Sequence, residues 1–366
     1  MRPFWKLLDQ HLGAEFQNDP TLRRGVLELS RQFTAARDEL DLEYLNRPDS
    51  RRAYLAYYLP LNFEKVRALL TTHLKGIWPT PPTKSQHWLD LGCGPATASL
   101  AALATLRERY KKEKLPAVHI DLVDTQPEAL KMARKLIADF AKAVEVQVTT
   151  KEFATLKEAL DVGAEEQRPY DLAMAANVLN ELPALAGDPE TDPLLQLWPK
   201  TNLLFLLEPG HRVSSQRLIR FRERLLSNFK DEITILGPCP HIEKCPLYRS
   251  KHWCHFSEPV SDGRLTDLNM RFFKDPRNWL KFSYVFLRKE KPKAYDPSVF
   301  RAIGDLHPSG PRTLAIDLCQ PKEKFVLRLP GNLPPDLRKK LVRGSSVKLD
   351  SDQTIHARTL TPHKAE

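Results

Sequence analysis

Between residues 86 and 290 the apolar positions follow two alternating rhythms. Short apolar runs at 87–91, 117–123, 144–149, 170–176, 202–207, 232–236 and 282–288 have the length of buried strands. Segments 96–110, 127–144 and 213–229 between them read as helices. Strand–helix alternation over such a length predicts a parallel, doubly wound α/β sheet. Residues 1–80 read as helices. Leu22, Val26, Leu29, Phe33, Ala36 and Leu40 recur helically across 21–44, and Asn46-Arg47-Pro48-Asp49 breaks the run. Further helices are expected at 51–58, stopped by Pro60, and at 63–74, before a proline-rich linker at 78–85. Past 295, apolar runs at 313–318, 324–329 and 346–349 among prolines and glycines predict a small β-rich module. The expected organisation is a helical region (1–80), an α/β domain (86–290) interrupted by an insertion (237–260), and a basic β-rich module (295–366).

Charge changes this picture. The net charge is +10, yet residues 1–243 carry 32 Lys/Arg against 33 Asp/Glu, while residues 244–366 carry 24 against 13. The excess is segregated into the last third and interleaved with Phe272, Phe273, Trp279, Phe282, Tyr284 and Phe286. A localised field of this kind attracts phosphate backbones. The opening segment Met1-Arg2-Pro3-Phe4-Trp5-Lys6 lacks the apolar core of a signal peptide. No run of about eighteen apolar residues suggests a membrane span. The expected setting is the cytoplasm, or the mitochondrial matrix in a eukaryote, and the expected state a monomer without a membrane partner.

Candidate chemistry begins at Leu89-Asp90-Leu91-Gly92-Cys93-Gly94-Pro95, a strand end that opens a helix. Gly92 and Gly94 let a ligand approach the backbone, and the free N–H groups of the following helix suit a carboxylate or phosphate. Asp124 ends the next strand, where a carboxylate can hold two ribose hydroxyls. Thr97 stands where a dinucleotide fingerprint would have its third glycine. The D-x-G-x-G pattern with its downstream acid resembles the first two motifs of class I S-adenosylmethionine methyltransferases. That resemblance implies cofactor contacts from Asp90, Gly92, Gly94, Asp124 and Asn177. Within Ala176-Asn177-Val178-Leu179-Asn180-Glu181, residues Asn177, Asn180 and Glu181 are candidates to orient an acceptor, with Asn177 alternatively a helix cap. Glu208 meets substrate or caps the helix after it.

Three of the five cysteines, Cys239, Cys245 and Cys254, fall within sixteen residues, and Cys319 follows after 64 intervening residues. Reduced thiols this close together read as metal ligands. The C-x2-4-C pairs of zinc ribbons are absent, but His241, His252 and His255 keep a mixed zinc site open. Irregular spacing of four cysteines also suits an iron–sulfur cubane. Cys93 lies in the glycine loop and reads as a small filler.

Together, Tyr54-Leu55-Ala56-Tyr57-Tyr58-Leu59-Pro60, the glycine loop, residues 176–183, Cys-Pro-His-x3-Cys-Pro with Trp-Cys-His-Phe, and Leu318-Cys319 resemble the methyltransferase-like proteins of the small ribosomal subunit, mitochondrial and bacterial. The resemblance implies a [4Fe–4S] cluster on Cys239, Cys245, Cys254 and Cys319, binding to small-subunit rRNA, and a role in subunit assembly with or without rRNA methylation. The alternative is a small-molecule or protein methyltransferase with structural zinc.

Overall fold

The computed structural model describes residues 2–34, 44–111, 113–165, 168–179, 192–273, 278–321, 323–350 and 355–358. The chain forms two compact units, residues 1–181 with 259–280, and residues 182–258 with 281–366.

In the first unit, β1 (Gln86–Leu91), β2 (Val118–Val123), β3 (Val148–Phe153) and β4 (Leu172–Ala176) run parallel in the order β3-β2-β1-β4. The order reverses at β1, which makes the carboxyl ends of β1 and β4 a topological switch point, the place where open α/β sheets bind ligands. The expected strand at 144–149 starts later, because α7 (Pro127–Ala143) ends in a turn at Val144 and Glu145, the latter at φ 53°. Helix α6 (Thr97–Arg109) is buried on every side over its first ten residues, which is why its sequence shows no polar face. A helix α8 (Leu156–Glu165), not among the expected elements, precedes β4.

The N-terminal region is helical as expected: α1 (Arg2–Leu12), α2 (Pro20–Thr34), α3 (Pro48–Ala53), α4 (Leu59–Thr72) and a short α5 (Leu74–Ile77). Phe4 stacks on Phe63 with ring centroids 3.9 Å apart, and both meet Phe140 of α7 edge-on. The expectation that Pro60 stops a helix is corrected. The chain passes through a π-helical turn (Tyr54–Tyr58) in which the Leu59 N–H reaches back five residues to the Tyr54 carbonyl, and Pro60 then occupies the first turn of α4, where its missing N–H costs nothing. Helix α11 (Gly263–Phe272) also belongs to this unit. Asp262 caps it by accepting from the Leu265 N–H and receives the Trp5 indole N–H at 3.1 Å.

The second unit holds α9 (Pro193–Leu197), β5 (Leu203–Pro209), α10 (Arg212–Phe229), β6 (Ile233–Gly237) and most of β8 (Trp279–Lys289). β8 runs antiparallel to both β5 and β6. A reversed strand between the fifth and sixth is the class I methyltransferase arrangement. It is eighth here because the cysteine-bearing insertion adds β7 (Phe256–Pro259). The predicted β-rich module is a separate antiparallel sheet of β9 (Val299–Ala302), β10 (His307–Gly310), β11 (Thr313–Gln320), β12 (Glu323–Pro330), β13 (Ser346–Leu349) and β14 (Ile355–Arg358), with α12 (Pro335–Lys340) between β12 and β13. Its core is Phe300, Ile316, Leu318, Leu329, Leu341 and Val347. Among the described residues, no helix is long and apolar enough to cross a membrane.

Candidate functional site

In the first unit the glycine loop is built from β1, α6, β2 and β4. The Cys93 N–H donates to the Val123 carbonyl at 3.0 Å, which ties the loop to the end of β2. Asp124 holds the loop from the other side. Its two carboxylate oxygens accept from the Gly94 N–H and the Gln126 N–H, each at 2.9 Å. Burial raises the Asp124 pKa, and these two N–H bonds oppose that. Both glycines sit at positive φ, 61° for Gly92 and 49° for Gly94. Gly92 has a second reason to lack a side chain: a Cβ there would stand 2.2 Å from Cγ2 of Val178. Asn177 is itself left-handed, at φ 64°, a conformation Asn tolerates better than most residues.

A cavity of about 50 Å3 opens over the loop, lined by Asp90, Gly92, Cys93, Gly94, Thr97, Asp124, Ala176, Asn177 and Val178. Tyr44, Leu45 and Tyr54 line it too. That volume is a fraction of what a nucleoside-sized ligand needs. Every predicted cofactor residue lines this one cavity. Of the acceptor candidates only Asn177 does; Asn180 and Glu181 lie outside the described residues. Sequence reasoning gives no site role to Tyr44, Tyr54 or Val178, although Tyr54 and Val178 lie in segments that carry the family resemblance; all three line the pocket.

Asp90 is buried and aims at α6. Its Oδ2 accepts from the Ser99 N–H at 3.1 Å and the Ser99 hydroxyl at 2.6 Å, capping a helix whose own N-cap residue, Ala96, offers no side-chain acceptor. Burial pushes its pKa up to about 7 despite the two Ser99 bonds. An unfolded Asp titrates near 4. Between these values the folded chain binds one proton more than the unfolded chain, so stability falls as pH rises, and above 7 the full penalty remains. Asp90→Asn keeps an acceptor for Ser99 and removes the charge. It should be more stable than the parent at pH 8, by up to roughly 4 kcal/mol, with little difference at pH 4. Denaturant unfolding at the two pH values checks this, and a larger gain at the acid end would contradict it.

The second unit brings the four predicted ligands together. Cys239, Cys245 and Cys254 from the segment after β6, and Cys319 from β11, are free thiols lining one cavity of about 40 Å3. Its other walls include Leu218, Ile219, Arg222, Leu247, Tyr284, Val285, Arg301 and Ile303. No histidine lines it. His241 lies beside it, with Nε2 at 3.7 Å from the Cys319 Sγ. Among the described residues, no group of three or more Cys, His, Asp or Glu is drawn close enough to hold a single metal ion. A closed tetrahedral zinc–thiolate site would hold its sulfurs about 3.8 Å apart, given its bond lengths. The four thiols line the cavity without being drawn to that spacing.

Two arginines furnish positive charge at this cavity. Arg222 is buried and donates to the His241 and Glu243 carbonyls at 2.8 and 3.0 Å. Burial works against its charge, but Cys239, Glu223 and Cys245 more than offset this, and its pKa rises. Arg301 donates to the Pro238 and Gly344 carbonyls, both at 2.7 Å. Burial raises the pKa of Cys245 to about 12 and those of Cys254 and Cys319 further, so the thiols stay protonated unless a cationic centre takes the protons' place. Gln216 of α10 pins the insertion by donating to the Leu247, Ser250 and His252 carbonyls.

The strand order, the reversed strand and the glycine loop at the β1–β4 switch point define a protein of the class I methyltransferase fold. Residues 48–329 match the family described as mitochondrial small ribosomal subunit Rsm22, and the chain belongs to that family. A search of curated proteins finds no match. Among solved structures, the plantazolicin methyltransferase BpumL in complex with SAH is similar over 74% of this chain and 99% of that chain, at 12% identity and a TM-score of 0.39. Human methyltransferase 10 domain containing protein is similar over 63% and 82%, at 12% identity and a TM-score of 0.33. These scores add nothing to the fold argument, which rests on strand order.

Proposed function

We propose that this chain is an S-adenosylmethionine-binding assembly protein of the small ribosomal subunit, working in the mitochondrial matrix. In this reading it binds rRNA through a basic surface ordered by a [4Fe–4S] cluster. The observation that carries the reading is the family match, which spans the glycine loop, Asp124 and all four thiols. Four thiols as the metal-ligating side chains at the cavity, with two arginines to offset negative charge, support an anionic tetrathiolate centre, and the choice of a cluster over zinc comes from the family resemblance. Cys239, Cys245, Cys254 and Cys319 would hold the cluster, whose contribution is a cross-link between the insertion and β11.

Around the glycine loop, Asp124 has lone pairs left to accept from a ribose diol while it keeps Gly94 and Gln126 in place. Asp90 works through Ser99, fixing the start of α6 so that its free N–H groups face a carboxylate. When bound, the cofactor supplies an electrophilic methyl group on a sulfonium. Methyl transfer to rRNA is a second reading, favoured by the left-handed Asn177 at the carboxyl end of β4. In-line positioning, more than a base, is what such transfer asks of the protein.

The test pairs two measurements on the full chain. Affinity for small-subunit rRNA should fall steeply with salt, by about 0.7 in log K per log salt for each phosphate contacted. Salt-independent binding, or none, would remove the RNA reading and favour a small-molecule methyltransferase. Labelled methyl incorporation into immature small-subunit particles, lost in Gly92→Arg, would establish transfer. Cofactor binding without incorporation would leave assembly alone.

A further inference from the structure

Helix α10 presents a second basic feature that the bulk charge count conceals. Arg212, Val213, Gln216, Arg217 and Arg220 lie on one face of it, and Arg249 and Ser250 of the insertion face them across a cavity of about 570 Å3. No acidic residue lines it. Arg212, Arg220 and Arg249 are exposed, and none has an acidic partner among the described residues. Arg249 rests against the Tyr248 ring, 5.2 Å from its centroid. Val213 is 65% exposed between the arginines. Three of the four arginines come from the part of the chain whose charges cancel overall, so they form a local field rather than part of the basic last third.

We propose that this cleft docks consecutive phosphodiesters of a single RNA strand. The inference deepens the RNA reading above and rests on it. Arg212 and Arg220 are eight residues apart, about 12 Å along the helix, a span of roughly two nucleotides. Their guanidinium forks match phosphate oxygens in pairs. Val213 offers an apolar contact to a sugar between them. Gln216 fixes the opposite wall by holding the Ser250 carbonyl, so Arg249 meets the strand from the other side. An acidic peptide would be drawn by the same charge. The RNA choice follows from the ribosomal family, and the peptide is an outcome of the test.

The experiment uses the full, metal-loaded chain, a labelled single-stranded RNA of mixed sequence, and the triple variant R212Q/R220Q/R249Q. The three side chains are exposed, so the unfolding temperature should hold. Three lost contacts remove about two from the slope of log K against log salt, and about a hundredfold in affinity at 0.1 M salt. A benzophenone side chain introduced at Val213 should cross-link to the RNA. The variant R338Q/K339Q/K340Q removes equal charge from α12 and should retain that cross-link at saturating RNA. If the parent binds RNA steeply with salt, but the triple variant keeps its slope and position 213 does not cross-link, the cleft is overturned and the RNA reading stands. If the parent shows no salt-dependent RNA binding while oligoglutamate binds in an Arg212-dependent way, both fall and the cleft belongs to an acidic protein.

Discussion

Cys319→Ser should strip the anaerobically purified protein of its brown colour and of its iron, from about four atoms per chain to none. It should also lower the unfolding temperature by about 10 °C. Cys319 stands on β11, in register with Arg301 of β9, and shares its cavity with three thiols from a segment more than sixty residues earlier. Serine keeps the volume but offers a hard hydroxyl in place of a soft thiolate, and three remaining ligands leave a cluster open on one side. The loss is larger than that of one packing contact, because a metal cross-link between distant segments contributes its binding energy to folding. Cys93→Ser is the control. That thiol lies in the glycine loop of the first unit, and its replacement should leave iron content unchanged. Iron quantification and charge-transfer absorbance decide the matter. Stoichiometric zinc in the parent protein would overturn the cluster, and undiminished iron in Cys319→Ser would remove Cys319 from the ligand set.

What the sequence disclosed here was whatever depends on short-range pattern. The strand ending at Leu91, the glycines after it and the acid at 124 fall at a spacing that matches a strand–loop–helix ligand site, and the thiols stand out because reduced cysteines close together read as metal ligands. What it concealed depends on side chains meeting across the fold. Pro60 reads as a helix stop until the π turn before it changes the hydrogen-bond register. Asp90 lines the cavity as expected, but the sequence did not show that its Oδ2 is engaged by Ser99 nine residues on. Helix α11 lies between the insertion and β8, where Phe272 and Phe273 read only as aromatics interleaved with basic charge. The arginines of α10 are invisible to a charge count because acids elsewhere in the same stretch cancel them.

Val178 shapes the site although sequence reading gives it no role there, and Gly92→Ala exposes it. The new Cβ would lie 2.2 Å from the Val178 Cγ2 and 2.7 Å from its Cβ, and position 92 holds φ at 61°. The left-handed backbone alone costs a non-glycine residue about 1–2 kcal/mol. The overlap adds to this, because Val178 is buried against the loop and two side-chain carbons must move at once. Gly92→Ala should therefore lose more than 3 kcal/mol of stability in all, roughly, and abolish cofactor binding. Gly94→Ala shares the conformational cost, but its nearest neighbour is the Leu45 Cδ1 at 3.8 Å, so it should lose only about 1–2 kcal/mol. Val178→Ala removes both γ carbons and leaves the β carbon, and so should recover part of the Gly92→Ala loss without restoring the parent. Denaturant unfolding of the four proteins with calorimetric titration of S-adenosylmethionine makes a double-mutant cycle. Strict additivity between positions 92 and 178, or a Gly94→Ala loss equal to that of Gly92→Ala, would show that the steric contact at Val178 is not what makes glycine necessary at position 92.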